Sequence, residues 1–543
     1  MSDDDSAVAL ERLRPHPIHL RPCRVRILMV IDGIGSFDTG DFGLSSLLEA
    51  LSVPPGPWVR FDVTTAHRTG HESASLPEPF KFDAVDLTQY DQIWLFGVDR
   101  AGAELTETEL RALAEFMDGG GGVFATGDHE NLGVKMCGRV PRVRSMRKWH
   151  WPTPGPNGEP IAPKVDGPDR RDTLSRGNDL VVQFDDQSDD VPQCITPKTY
   201  ATWHWNPYWH RERPHPLLCG PRGVIRVLPD HPHEGECYVP ADLTATFTFD
   251  GYTTTEYPGE PAPEVIAWSR NGCRMPADVK GVLNPATFGA IGAYDGHRAD
   301  VGRVVVDATW HHFFNINLVG VAGNADPIKR KGFTATPSGQ EAYEDIKSYF
   351  RNIAVWLARE STQRRMWWCA VWWARWHHRV AMDLRPHYLA SVDRLDLAEL
   401  LRIGSEARDA LGRVASQCTI QDWAAKRLIR PAFPRIWEEL ADVLDPWRPR
   451  PPLPDVFPSP DPRIVASLHG ELLVDACLGA VMHAVAARFP QASEESRLLA
   501  EETDFGDVVD DHVHQAVRLL ARHSADESEV LRRVATAAGD REE

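Results

Sequence analysis

The sequence predicts an α/β protein built on a doubly wound, mostly parallel sheet and followed by an all-α C-terminal domain. Three observations carry this. Short apolar runs ending in glycine or an acid alternate with amphipathic segments in the first third of the chain. Strands buried on both faces read as continuous apolar runs, so the alternation points to a parallel sheet with helices on both sides. Further strand-like pieces extend to about residue 308, and after Asp326-Pro327 the pattern becomes helical and stays so.

Residues 1–23 read as an N-terminal tail, and Val25–Ile31 as a buried strand that exits at Asp32-Gly33. A helix follows through Leu44, Leu47, Leu48 and Leu51, then an extended segment at Val59–Thr65 and a strand at Gln92–Gly97. Thr106 and Glu109 have the spacing of a capping box, in which each side chain satisfies the other's backbone N–H. Leu110, Leu113, Phe116 and Met117 give that helix one apolar face. Glycines 119–122 end it, and Val123–Thr126 is the next strand. From 139 to 221 the periodicity fails, which reads as a long insertion of the kind that often carries function. Strand-like pieces return at 224–228, 243–249, 265–269, 289–294 and 303–308, closing an α/β domain over 24–325.

Residues 326–445 form a predicted helical region, in which Tyr343, Ile346, Phe350, Ile353 and Leu357 recur at helical spacing. A Trp-rich helix spans 366–384, with further helices at 396–416 and 433–444. Trp367, Trp368, Trp372, Trp373 and Trp376 read as helix packing rather than a membrane or partner face, because Arg375, His377 and His378 interrupt them. Residues 446–462 form a stiff, proline-rich linker, and 463–543 a C-terminal helical segment with helices at 462–489 and 505–538.

At 543 residues the chain exceeds one ordinary core, and its 42% hydrophobic and 25% charged residues are those of a globular protein. A formal charge of −19 opposes broad attraction to phosphate backbones, so nucleic acid is not an expected partner, although Arg139 to Lys148 forms a local basic stretch. The first residues lack the basic-then-apolar layout of a signal peptide, and no charge-free run is long enough to span a bilayer. A cytoplasmic protein without a membrane partner is therefore expected. Nine cysteines with no C-x-x-C pair fit reduced thiols better than a disulfide framework.

In open α/β sheets, pockets form beyond the carboxyl ends of the strands. That rule sorts the polar residues. Asp32 and Asp99 follow the first two central strands, where each alone also reads as a helix cap or turn residue. Gly127, Asp128, His129 and Glu130 follow Val123–Thr126, and Thr309, Trp310, His311 and His312 follow the late strand; Asp128, His129, Glu130, His311 and His312 are the candidate catalytic groups. On a strand the two late histidines would face opposite sides, sending one into the pocket. Asp230, His231, His233 and Glu234 follow the 224–228 piece. His231, His233 and Glu234 are ligand types for a divalent transition metal, but their spacing matches no strong metal motif. No nucleophile elbow or Walker lysine motif occurs, and the glycine loop at 32–38 lacks the third glycine of a dinucleotide fingerprint.

Ile27–Asp32, Tyr90–Asp99, the helix into Phe116–Ala125 and Gly302–His312 together resemble the class I glutamine-amidotransferase-like superfamily, within it the ThuA-like branch, over residues 24–322. The resemblance implies a flavodoxin-like sheet. In amidotransferases the turn after the glycine-rich strand carries a cysteine nucleophile, and a late His-x-Glu completes the triad. Here the turn carries Gly127-Asp128-His129, the nearest cysteine is Cys137, and neither His311 nor His312 has Glu two residues later. Glutamine hydrolysis through a thioester is not expected. The residues instead predict a hydrolase for a small polar substrate. His129 or His311 is its general base, and Asp128 or Glu234 orients that base or holds a metal. The alternative is a non-catalytic ligand-sensing or scaffold protein whose helical region binds a protein partner.

Overall fold

The computed structural model describes residues 22–99, 102–128, 132–149, 193–202, 211–229, 235–259, 261–271, 286–325, 327, 330–384, 396–448, 470–488 and 506–539. The main-sheet strands are β1 (Cys23–Ile31), β2 (Val59–His67), β3 (Gln92–Phe96), β4 (Gly122–Thr126), β5 (Thr196–Pro197), β6 (Glu264–Asn271), β7 (Ala286–Tyr294) and β8 (Val304–Asp307). They stand in the order β2-β1-β3-β4-β8-β7-β6-β5. From β2 to β8 every pairing is parallel, and from β8 to β5 every pairing is antiparallel. The parallel part thus has the doubly wound order 2-1-3-4-5, with its switch point between β1 and β3.

The side chains alternate between two covered faces. On one face Ile27, Met29, Trp94, Phe96, Phe124 and Val305 join a single core with α1 (Ser45–Ser52). On the other, Leu28, Val30, Ile93, Leu95, Val123, Ala125 and Val306 meet α2 (Glu107–Asp118). Complete burial of β3 and β4 explains their unbroken apolar sequence. The capping box at α2 is formed: Thr106 Oγ1 accepts the Glu109 N–H at 3.3 Å, and Glu109 Oε2 accepts the Thr106 N–H at 3.0 Å.

A helical layer follows, with α3 (Pro337–Trp356), α4 (Glu360–Trp376), α5 (Leu397–Gly412), α6 (Gln417–Ala424), α7 (Gly470–Arg488) and α8 (Gly506–Gly539) as its main members. Helix α3 lies on the first face, where Ile346, Tyr349, Phe350 and Ile353 are fully buried and Phe350 meets Phe313 at 5.1 Å. The layer shares one apolar core with the sheet. Polar ties reinforce the junction: Gln92 Nε2 donates to Ala354 O at 2.7 Å and Thr362 Oγ1 to Asp91 Oδ1 at 2.6 Å. In α4, Trp367 is buried and meets Trp423, which in turn meets Trp58 beside β2, so these tryptophans serve packing. Helices α5 and α7 cross closely at two glycines, since a Cβ at Gly404 would lie 1.8 Å from Asp475 O and one at Gly479 2.2 Å from Leu400 O. Helix α7 is long and apolar enough to span a membrane, but 78% of that window is buried within the protein, as in a core helix.

Two expectations are corrected. The 224–228 piece is not a strand of the main sheet. Val227–Leu228 pairs antiparallel with Gln193–Cys194, and Gly223–Val224 with Cys219–Gly220. Arg226 is exposed within it, so the run is only half-buried and cannot be sandwiched. The basic stretch at 139–148 is not an open patch either. Arg139 pairs with Glu107 at 2.7 Å, Arg142 with Asp118, and Lys148 with Glu236 at 2.8 Å.

Candidate functional site

The carboxyl ends of β3 and β4 are packed backbone to backbone through glycine. A Cβ at Gly97 would lie 2.4 Å from the Gly133 Cα, and one at Gly127 2.6 Å from both Leu132 O and the Trp149 ring. Gly127 is needed for this close approach, not for a left-handed turn. Only Gly133 of the three has positive φ, at 82°. The Gly97 N–H donates to Thr126 O at 2.9 Å, and the Asp128 N–H to Leu132 O at 3.3 Å, closing the turn at its base. His129 and Glu130 lie outside the described residues. A Gly97→Ala substitution should cost about 3 kcal/mol, because only backbone could move aside, and urea denaturation would measure it.

Asp128 is fully buried beside the end of β8. There Thr309 Oγ1 accepts the His311 N–H at 3.1 Å and starts a single turn, Trp310–His312, while the Trp310 N–H donates to Gly127 O at 2.9 Å. The two histidines therefore sit on a turn rather than a strand, and they part. His311 stacks on Trp310 at 3.8 Å between centroids. Its Nδ1 meets Asn317 Oδ1 at 2.7 Å, and its Nε2 faces Asp128 Oδ2 at 3.8 Å. An amide oxygen can only accept, so Nδ1 carries a proton and Nε2 is the nitrogen that gains or loses one. His312 points into the core, with Nδ1 2.7 Å from Asp307 Oδ1, and Tyr349 Oη donates to Asp307 Oδ2 at 2.8 Å. Burial pushes the Tyr349 hydroxyl well above its ordinary range, so it remains a donor. Asp307, shared by His312 and Tyr349, thereby ties β8 to α3.

Asp32 ends β1 at the switch point. Its Oδ1 accepts the N–H groups of Val98 and Asp99 at 2.6 and 2.8 Å, so it latches the β1 loop to the β3 loop. Gly33, at φ 63°, completes the contact, since a Cβ there would sit 3.0 Å from the Asp99 Cβ. Burial raises the Asp32 carboxyl to about 6 against the pull of those two hydrogen bonds. A carboxyl raised on folding stabilises the protein in full below its unfolded value and loses that contribution as pH rises through about 6. Asp32→Asn keeps the accepting oxygen and cannot ionise. It should match wild type at about pH 4 and exceed it by on the order of 2 kcal/mol at about pH 8, as urea denaturation at both pH values would show.

Sequence reasoning passed over three residues here. Asn317 orients His311 but is six positions away with no motif linking them. Arg147 is fully buried over Trp149, and its Nη2 donates to Asp128 O at 2.6 Å and Ala308 O at 2.8 Å, tying the ends of β4 and β8 together. His67 ends β2, where its Nε2 meets Gly35 O at 3.1 Å and burial lowers its pKa. Its place after an extended run is the signal that singled out the other strand tips.

Comparison with known proteins adds no label. No protein-family model matches the chain, and no curated protein matches it. Cys137, the cysteine nearest the turn, is fully buried with its thiol directed at Thr126 O at 3.9 Å, and burial pushes its pKa well up. It is held as an inert thiol.

The proposed metal ligands His231, His233 and Glu234, with Asp230, lie outside the described residues. Among the described residues no three His, Cys, Asp or Glu side chains cluster as a metal site. Asp128 and His311 alone do not make a metal-binding set. Gly235 lies at this edge of the sheet, where its N–H donates to Ala308 O at 3.1 Å.

Proposed function

We propose that the chain is a hydrolase acting on a small polar substrate at the carboxyl edge of the sheet, with His311 as its general base. The observation that carries the reading is the Asn317–His311–Asp128 line, in which Nδ1 is tied to an amide oxygen and Nε2 faces a buried carboxylate. Nε2 takes a proton from water, the water oxygen attacks the electrophilic carbon or phosphorus, and the imidazolium returns the proton to the leaving group. Asp128 stabilises the imidazolium, and Asn317 keeps the ring in register. At 3.8 Å the Asp128 carboxylate acts on Nε2 by charge rather than by a hydrogen bond, so it does not itself take up the proton that Nε2 receives from water.

The likeness to the amidotransferase-like superfamily supports the location, since the turn that carries a cysteine in those enzymes corresponds to Gly127-Asp128-His129. The inert Cys137 argues for direct attack by water rather than a thioester. A panel of activated carboxylic esters, anilides and phosphate esters tests the reading. At least one class should be turned over by wild type and lost in His311→Ala; equal rates for both proteins across the panel would sink it.

The complete burial of Asp128 favours a second reading, a non-catalytic ligand-sensing or scaffold protein whose helical region binds a partner. That reading requires no turnover of any class and a melting temperature that rises with a small ligand.

A further inference from the structure

Cys219 and Cys418 meet at the junction between the sheet domain and the helical layer. Cys219 follows the turn Pro216–Leu218 and is seated on α3, because Asn352 Nδ2 donates to both Leu217 O and Cys219 O at 3.1 Å. Cys418 lies in the first turn of α6. With Tyr200 and Trp447 they form a separate buried cluster, closed by the Trp447 Nε1–H bond to Pro214 O at 2.9 Å. Both thiols are reduced, with exposures of 7% and 2%.

The two sulfurs are not equivalent. The Cys418 thiol and backbone N–H donate toward the Cys219 sulfur, and the Arg213 charge assists, drawing Cys219 down to about 7. Cys418 moves well up, so the shared proton resides on it. Other buried thiols move the opposite way: Cys137, Cys237 and Cys477 are all raised by burial. The backbone beside Cys418 is also unusual. Ser416, the N-cap of α6, sits at φ 142°, a conformation that a non-glycine residue holds only when its surroundings impose it. That placement lets Ser416 Oγ accept the Thr419 N–H at 3.2 Å and sets the first turn of α6 against Cys219.

We propose that Cys219 and Cys418 are a peroxide-modified dithiol that closes to a disulfide, stapling the site-bearing domain to the helical layer. The chemistry balances with hydrogen peroxide as the oxidant. The Cys219 thiolate attacks one peroxide oxygen, the O–O bond breaks, and the departing hydroxide takes a proton to become water, leaving a sulfenic acid. The Cys418 sulfur then attacks the Cys219 sulfur, forming the S–S bond and releasing a second water with the Cys418 proton. Peroxide is small enough to reach a buried site that larger disulfides cannot enter. The staple closes a loop of about 200 residues, so it restricts the unfolded chain strongly. It also clamps the turn seated on α3, the helix whose Tyr349 holds Asp307.

The full chain treated with one equivalent of hydrogen peroxide, then blocked with N-ethylmaleimide and peptide-mapped, tests this. Expected are a loss of two hydrogen masses, a linked pair of peptides containing Cys219 and Cys418, and a melting temperature several degrees higher that returns with dithiothreitol. The initial rate should rise with pH to half its maximum near 7. Cys418→Ser should stop at a sulfenic acid on Cys219 that dimedone labels, and Cys219→Ser should form no disulfide. Oxidation of the exposed Cys194 ahead of Cys219, or linkage of Cys219 to any other cysteine, would overturn the proposal. The wild-type map decides this even if a variant fails to fold.

Discussion

His311→Ala should reduce kcat by about a hundredfold to ten-thousandfold on whichever substrate class the wild type accepts, at temperatures where the variant is still fully folded. The size follows from the role. A general base contributes that much, and because this imidazole is buried, with 7% of its side chain exposed, its truncation also opens a gap beside Trp310 and costs some stability. Asn317→Ala should have a smaller effect on kcat, because the ring keeps its stacking on Trp310 but loses the partner that sets its tautomer. Asp128→Asn should lower kcat while leaving KM nearly unchanged, since Asp128 stabilises only the imidazolium formed during reaction. The pattern matters more than any single value. A purely structural histidine would lose activity only as far as the fold is lost, whereas the base loses activity while the variant is still folded. Steady-state kinetics beside thermal melts separates the two.

Arg147→Ala should destabilise the fold by about 3 kcal/mol or more. Its guanidinium is buried and holds the carbonyls of Asp128 and Ala308, so truncation removes a charged donor from both carbonyls at the ends of β4 and β8 and opens a buried gap. Burial already lowers its pKa, an effect that the nearby negative groups Asp128 and Asp307 partly offset. Arg147→Lys should rescue little, because an ammonium cannot reproduce a fork that reaches two carbonyls at once. The same variant should also impair turnover beyond its effect on stability, since the two carbonyls position the Asp128 turn against His311. Chemical denaturation and kinetics at a temperature well below the melting point distinguish these effects.

Much of the fold was legible because buried parallel strands and amphipathic helices leave periodic traces. Ile27–Ile31, Gln92–Phe96, Gly122–Thr126 and Val304–Asp307 are strands for the reason their sequences suggest, burial on both faces. The capping box at Thr106 and Glu109 was equally readable, as it is local. The 224–228 run misled because a half-buried hairpin strand and a short central strand share the same residue types, and only Arg226 separates them. The antiparallel edge of β7, β6 and β5 and the fusion of α3 and α4 with the sheet core depend on contacts between residues far apart in sequence, which no local pattern encodes.

The candidate site was legible to the same depth. Asp128 and His311 stood out because polar residues follow apolar strands at the edge where ligands bind. Their complement did not. Asn317 and Arg147 act through hydrogen bonds that exist only once the chain has folded, and the basic stretch that contains Arg147 reads as surface until its partners are seen. Asp32 resembled an ordinary cap. It accepts backbone N–H groups as a cap does, but they belong to the loop after β3, 66 and 67 residues away.

The central claim is that Asn317 holds the His311 proton on Nδ1 and leaves Nε2 as the base. Nitrogen-15 NMR of the histidine side chains near neutral pH, assigned with His311→Ala, tests this without knowledge of the substrate. The account predicts a protected Nδ1–H resonance for His311 that disappears in Asn317→Ala. A proton held on Nε2 with Nδ1 bare would contradict it.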